Sequence, residues 1–358
     1  MLLVATSPVR AADLPAATPG DYVVRDFAFA SGERLDELRL HYVTLGTPHH
    51  GADGHVDNAV LVLHGTGGSG RQFLTENFAG VLFGSGQLLD VARHFVILPD
   101  GIGHGGSSKP SDGLHARFPH YGYGDMVKAQ HALVMDGLHV DHLRLVMGTS
   151  MGGMHTWLWG ETWPEMMDAL MPLASLPTQI AGRNRMSRRM VIDSIRNDPE
   201  WKGGEYQAQP RGLTAAVYTL LFLVSSPLQW QKAAPTREAA DRFFDEQVQA
   251  RLKGADASDM LYQFDASRDY DPGKDLEKIR APLVAVNSAD DEVNPPELGI
   301  LEREIHRVPH GRMVLLPITD QTRGHGTHSW PAIWQDHLAA LLEESAPLPS
   351  TPPSPPAP

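Results

Sequence analysis

Leu143-Arg144-Leu145-Val146-Met147-Gly148-Thr149-Ser150-Met151-Gly152-Gly153-Met154 decides how this chain is read. A mainly apolar, β-prone run over 143–147 leads into Gly-x-Ser-x-Gly, and a helical pattern opens at Met151. A serine at so sharp a strand-to-helix turn has a forced backbone and an exposed hydroxyl, and the glycines let neighbouring backbone pass close by. The new helix points its positive end at the spot where an oxyanion would develop. The stretch therefore predicts a nucleophile at Ser150 and one oxyanion donor in the Met151 N–H.

On both sides of this turn, short β-rich runs alternate with helical ones. That is the pattern of an α/β domain with a mostly parallel sheet and helices on both faces. Eight strands are expected, over 22–30, 38–45, 59–63, 94–98, 143–147, 169–173, 283–287 and 313–318. Ala59-Val60-Leu61-Val62-Leu63 is apolar at every position, as a strand covered on both faces requires. Helices are expected over 125–137, 151–163, 296–306 and 330–343.

The alternation breaks over 177–270, which is Arg- and Met-rich, then apolar at 215–224, then charged around 237–253. Lying between two expected strands, it reads as a helical lid inserted into a core made of 21–176 and 271–345. The run 215–224 is too short to cross a bilayer. It reads as a buried lid helix lining a substrate tunnel, or as a homodimer contact. Residues 346–358 form a Pro-rich tail that cannot build a core.

A serine is nucleophilic at neutral pH only beside a base, and the base must be oriented by an acid. The strand at 283–287 runs into Ser288-Ala289-Asp290-Asp291-Glu292, where either aspartate could be the acid. After the last strand comes Arg323-Gly324-His325-Gly326-Thr327-His328. His325, between glycines, is the expected base, since His328 belongs to the start of the next helix. A second oxyanion donor is expected in Leu63-His64-Gly65-Thr66-Gly67-Gly68, at Thr66, with Gly65 and Gly67 as neighbours able to serve.

Thirty Lys and Arg against forty-three Asp and Glu give a net charge of −13, which argues against a nucleic-acid partner. The chain has no cysteine, which excludes thiolate catalysis, disulfides and cysteine-ligated metal. The eighteen histidines are scattered and no H-E-x-x-H occurs, so no metal and no cofactor is expected. Near the start, Val9-Arg10-Ala11 has the small-residue pattern that a signal peptidase cuts after. Residues 1–20 are therefore expected to be the remnant of a signal peptide or an unstructured extension. A periplasmic or secreted location is expected, with a cytoplasmic one as the alternative.

From about residue 38 to 345 the sequence resembles the homoserine O-acetyltransferase-like branch of the α/β-hydrolases. The resemblance rests on Phe118-Pro119, Asp125-Met126-Val127 and Gln130 before the nucleophile strand, and on Gly148-Thr149-Ser150-Met151-Gly152-Gly153-Met154. It continues in Asp198-Pro199-Glu200-Trp201 with Gly204, Tyr206, Pro210, Gly212 and Leu213, and in Phe264-Asp265-Ala266. The family's acid lies a few residues before a Pro-Glu pair, so the resemblance implies Asp291 over Asp290, through Pro296-Glu297; Gly324-His325 matches the base.

Two departures bear on the reaction. The family pattern has an aspartate after the histidine and an arginine before the phenylalanine; this chain has Gly326 and Gln263. An amino-acid acceptor needs a partner for each of its charges, so both changes tilt the expectation from acyl transfer to hydrolysis of a small-molecule carboxylic ester, amide or lactone. Acyl transfer to an alcohol is the alternative, and a non-catalytic binding protein on the same scaffold is the third reading. Arg183, Arg185, Arg188 and Arg189 read as a solvated lid face, or else as a site for an acidic substrate.

Overall fold

The structure, a computed structural model, describes residues 16–52 and 54–346. The signal-peptide pattern at 9–11 and the Pro-rich tail beyond 346 lie outside the described residues. Eight strands form one sheet: β1 (Thr18–Ala28), β2 (Arg34–Leu45), β3 (Ala59–Leu63), β4 (Phe95–Pro99), β5 (Leu145–Thr149), β6 (Leu170–Leu173), β7 (Leu283–Ser288) and β8 (Gly311–Leu316). β1 begins at Thr18, inside the segment expected to be an extension, because it pairs along the length of β2.

The helices are α1 (Ala79–Leu82), α2 (Tyr123–Ala132), α3 (Met151–Thr162), α4 (Gly182–Arg196), α5 (Arg211–Leu223), α6 (Pro227–Ala233), α7 (Arg237–Leu252), α8 (Ala257–Asp265), α9 (Ile300–Glu304) and α10 (Gln335–Glu344). The helix expected over 296–306 is broken: a 3-10 turn at Pro296–Leu298 is separated at Gly299 from α9. α2 ends in a π turn at Leu133–Gly137, where one helix to 137 was expected.

The strand order is β1-β2-β4-β3-β5-β6-β7-β8. β2 is antiparallel to both neighbours, and every pairing from β4 to β8 is parallel. All five residues of β3 are buried because its side chains feed two cores. Leu61 and Leu63 pack with Ile97, Val146, Trp157 and Trp159 on one face. Val60 and Val62 pack with Leu98, Met147, Trp334 and Leu338 on the other. Burying side chains of this size is the main stabilising term, about 1.5–3 kcal/mol each.

Helices α4 to α8 lie between β6 and β7 as an insertion. α5 turns Leu213, Ala216, Val217 and Leu221 inward and leaves Tyr218 and Phe222 exposed. α8 fastens the insertion to the core on one side, and Gln229 and Lys232 of α6 fasten it to Asp320 and Thr322 on another. Tyr262 donates from its hydroxyl to the Phe118 carbonyl at 2.8 Å, and Gln263 Nε2 donates to the Gly103 carbonyl at 2.7 Å. The Ser111 N–H and hydroxyl both donate to Asp259, at 2.8 and 2.6 Å.

Burial outweighs these two hydrogen bonds at Asp259 and raises its pKa from 3.8 to about 6. The folded state then holds this proton more tightly than the unfolded chain. Its stabilisation is complete below the unfolded value and is lost as pH rises through about 6. Asp259→Asn removes that loss. Urea unfolding is expected to show a smaller fall in stability between pH 4 and 7 in the variant than in the parent; equal falls would contradict the assignment.

Candidate active site

The turn after β5 brings Ser150 to φ 56° and ψ −111°, a left-handed backbone at a residue with a side chain. The Ser150 N–H donates to the Leu173 carbonyl on β6 at 2.9 Å, which fixes the turn from outside. A side chain at Gly152 would put its Cβ 1.9 Å from the Leu63 carbonyl oxygen, and one at Gly148 would lie 2.2 Å from the Gly152 carbonyl oxygen. Only glycine lets α3 start this close to β3. Met151 is the first residue of α3, so its N–H has no partner within the helix.

The loop after β3 runs against this turn: a Cβ on Gly65 would sit 3.5 Å from Ser150 Cβ. His64 fixes the loop. Its Nε2 accepts from the Gly101 N–H at 2.9 Å, so the proton is on Nδ1, which donates to the Gly65 carbonyl at 2.8 Å. Desolvation lowers the His64 pKa, against the pull of that carbonyl, and keeps the ring neutral. The Gly65 carbonyl also accepts from Gly68 N–H at 3.0 Å. With that oxygen held twice, the trans peptide turns the Thr66 N–H to the opposite side.

His325 Nε2 lies 2.8 Å from Ser150 Oγ, and Nδ1 lies 2.9 and 3.1 Å from the two oxygens of Asp291. His325 and Asp291 are 5 % and 2 % exposed, so this line of hydrogen bonds is shielded from water. Asp291 also accepts from the N–H groups of Val293 (2.8 Å) and Asn294 (3.2 Å) and from Asn294 Nδ2 (3.1 Å). Burial raises the pKa of this carboxyl, but His325 and these donors outweigh burial and the net shift is downward. Asp291 is therefore an anion across the neutral range.

Asp290 holds something else. Its Oδ2 accepts from the Gly324 N–H at 2.9 Å, so it ties down the loop that delivers His325. On its other side Gly324 meets the insertion: a Cβ there would lie 2.5 Å from the Ser225 carbonyl oxygen. His328 lies in the following turn, its ring 5.2 Å from that of His325, and Ser329 Oγ is 2.9 Å from its Nδ1. Desolvation first, and His325 second, push His328 down to about 3, so it stays neutral.

Asn294, which also donates to the Ala174 carbonyl at 2.8 Å, went unread in the sequence, although its position three residues after an aspartate is a common local bonding pattern. Gln263 lies beside the loop after β3: its Oε1 is 3.7 Å from where a Cβ on Gly67 would be. The arginine cluster is split. Arg183 and Arg189 are exposed and paired, to Glu292 at 3.4 Å and to Asp193 at 2.7 Å. Arg188 is buried, contrary to a solvated face, because it falls on the inner stripe of α4 with Val191, Ile192 and Ile195. Beside Asn294 a cavity of about 510 Å³ is bounded by Met154, Ile180, Asn184, Tyr270 and Val293.

The two aspartates make a discriminating pair. Asp291→Asn is expected to lower kcat by about 10⁴-fold, since an amide neither fixes the ring tautomer nor balances an imidazolium. Asp290→Asn should cost about tenfold or less, because one backbone anchor is weakened. Steady-state rates of the two variants check this, and the reverse ranking would give the acid's place to Asp290.

Comparison with known proteins agrees with this architecture. The family model for the alpha/beta hydrolase fold matches residues 58–328. A probable acyltransferase of Methanothermobacter thermautotrophicus is 28 % identical over 309 residues, covering 86 % of this chain and 92 % of the relative. A homoserine O-acetyltransferase of Citrifermentans bemidjiense is 32 % identical over 260 residues, covering 66 % of this chain and 68 % of the relative. Among solved structures, esterase E22 superposes with a TM-score of 0.77 at 18 % identity, over 92 % of this chain and 100 % of that one. The chain belongs to the α/β-hydrolase fold family, in the branch that holds the homoserine O-acetyltransferases.

Proposed function

We propose that this enzyme is a serine hydrolase that cleaves a carboxylic ester, amide or lactone bond of a small molecule through an acyl-enzyme. The observation that carries the reading is the unbroken line from Ser150 Oγ through His325 to Asp291. As Ser150 Oγ bonds to the carbonyl carbon, its proton passes to His325 Nε2 and the carbonyl electrons move onto oxygen. The N–H groups of Met151 and Thr66 receive that oxyanion. Collapse expels the alcohol, which takes the proton from His325. Water then gives a proton to the same nitrogen and attacks the acyl carbon. The acid leaves, and the proton returns to Ser150.

The alternative is an O-acyltransferase of the homoserine O-acetyltransferase type, in which an alcohol replaces water in the last step. The names of the two sequence relatives favour it. Gly326 and Gln263 favour water, since neither offers a charge to an amino-acid acceptor. An exported location, read from Val9-Arg10-Ala11, would also separate the enzyme from acyl-coenzyme A. The insertion serves as the lid. Exposed Met186, Met190, Tyr218 and Phe222 on α4 and α5 support a homodimer joined through this lid.

Ser150→Ala is expected to abolish ester turnover, by about 10⁴-fold or more, together with labelling by a fluorophosphonate. Labelling that survives would remove Ser150 from the mechanism. A panel of p-nitrophenyl esters, run beside acetyl-coenzyme A with homoserine, separates the two reactions. Release of acid without acetyl-homoserine is expected, and efficient acetyl-homoserine formation would give the function to acyl transfer. For the dimer, sedimentation should give twice the 39.1 kDa chain, falling to one copy in Phe222→Asp.

A further inference from the structure

Arg188 is 4 % exposed, yet no ion pair compensates it among the described residues. Its Nε donates to Asn184 Oδ1 at 2.9 Å, and its guanidinium carbon lies 5.7 Å from the centre of the Phe264 ring. Its Nη1 is buried without a hydrogen-bond partner. Arg185, three residues earlier and so on the same side of α4, also has a buried Nη1 without a partner. The neighbouring arginines offer no relief, since Arg183 and Arg189 pair with their own carboxylates at the surface.

A guanidinium stays charged at every physiological pH, and a charge removed from water without a counter-ion is among the costliest things a fold can hold. A structural position on this stripe calls for leucine or isoleucine, as at Ile192 and Ile195. The place is close to the chemistry. Phe264 follows Gln263, which lies beside the loop after β3, and Phe264 packs in one cluster with Met151 and Met154 of the first turns after Ser150. Asn184, which orients Arg188, borders the 510 Å³ cavity together with Met154 and Asn294, so Arg188 lies one residue behind a wall that also carries Arg183, Glu292 and Glu297. That volume suits a small molecule.

We propose that Arg188, with Arg185 beside it and Asn184 holding it, binds an anionic group, carboxylate or phosphate, carried by the substrate away from the bond that is cut. The inference rests on the ester-cleaving reading and narrows it to charged esters over neutral ones. With Nε held by Asn184, the unpartnered Nη1 groups of Arg188 and Arg185 remain as donors to either oxyanion, and the bound anion supplies the counter-charge that no ion pair gives Arg188 among the described residues.

The test compares kcat/KM for phenyl acetate with that for 4-acetoxybenzoate and for 4-acetoxyphenyl phosphate. These share a leaving-group frame and differ in its charge. The parent enzyme should prefer one charged ester, and which one names the anion. In Arg188→Met the charged-to-neutral ratio should fall by about tenfold or more, the loss of one charge-assisted contact, and Arg188→Lys should recover part of it. Arg189→Met, which removes an equal charge from the surface of the same helix, should leave the ratio in place. An unchanged ratio in Arg188→Met overturns the proposal.

A second measurement needs no turnover. Benzoate or inorganic phosphate should raise the melting temperature of the parent and not that of Arg188→Met. Without ligand, Arg188→Met should melt no lower than the parent, because a lone desolvated charge is gone; a clear drop with no change in ligand response would make Arg188 merely structural. Anion-dependent stabilisation without any ester turnover would sink the hydrolase reading and keep the anion site. Turnover with no Arg188-dependent selectivity or stabilisation would do the reverse.

Discussion

A single backbone conformation governs this molecule. Ser150 is held in the left-handed region, at a cost on the order of 1–3 kcal/mol, and the segments around it are arranged so that no cheaper conformation is open. α3 starts in contact with the β3 backbone at Gly152, the Ser150 amide is bound to β6, and β5 lies between those strands in a parallel sheet buried on both faces. The strain is borne by the part of the fold with the most apolar burial. In return the hydroxyl meets His325 Nε2 at 2.8 Å, and the first N–H of α3 follows it directly in the chain.

The other groups of the site come from loops that follow the C-terminal ends of parallel strands, each held by its own local bonds. His64 spends both ring nitrogens on backbone and so fixes the loop that presents Thr66. Asp291 is surrounded by donors from Val293 and Asn294, so its charge persists in a buried place. Asp290, its neighbour in the chain, secures the backbone at Gly324. Two adjacent carboxylates thus divide the work: one faces the imidazole, the other the loop that carries it. The turn that follows His325 is held in its own way, where Trp334, fully buried, donates to the His328 carbonyl at 3.2 Å.

Much of this was legible in the residues. All eight strands were, because a sheet covered on both faces demands apolar runs, and those runs stand out between glycines and prolines. Ser150, His325 and the Asp290-Asp291 pair were legible as residues of loops that follow strands, and the fold brings Ser150, His325 and Asp291 into one line of hydrogen bonds. What was missed depends on contacts distant in sequence. β1 starts early because β2 reaches it. The break at Gly299 overrides a helical pattern, and Asn294 matters only once Asp291 needs donors. The burial of Arg188 was hidden by composition: among four arginines in seven residues, a charged face is the plain reading. Its spacing with Val191, Ile192 and Ile195 places it on the inner stripe all the same.

The contact between Gly324 and Ser225 has a further consequence. The corner where α5 gives way to α6 rests on the peptide that precedes the imidazole, with no room for a side chain between them. The inserted helices and the loop that carries His325 thus meet backbone against backbone. A graft that replaced the helices wholesale would have to leave position 324 a glycine, or move that one carbonyl away from the loop that carries His325.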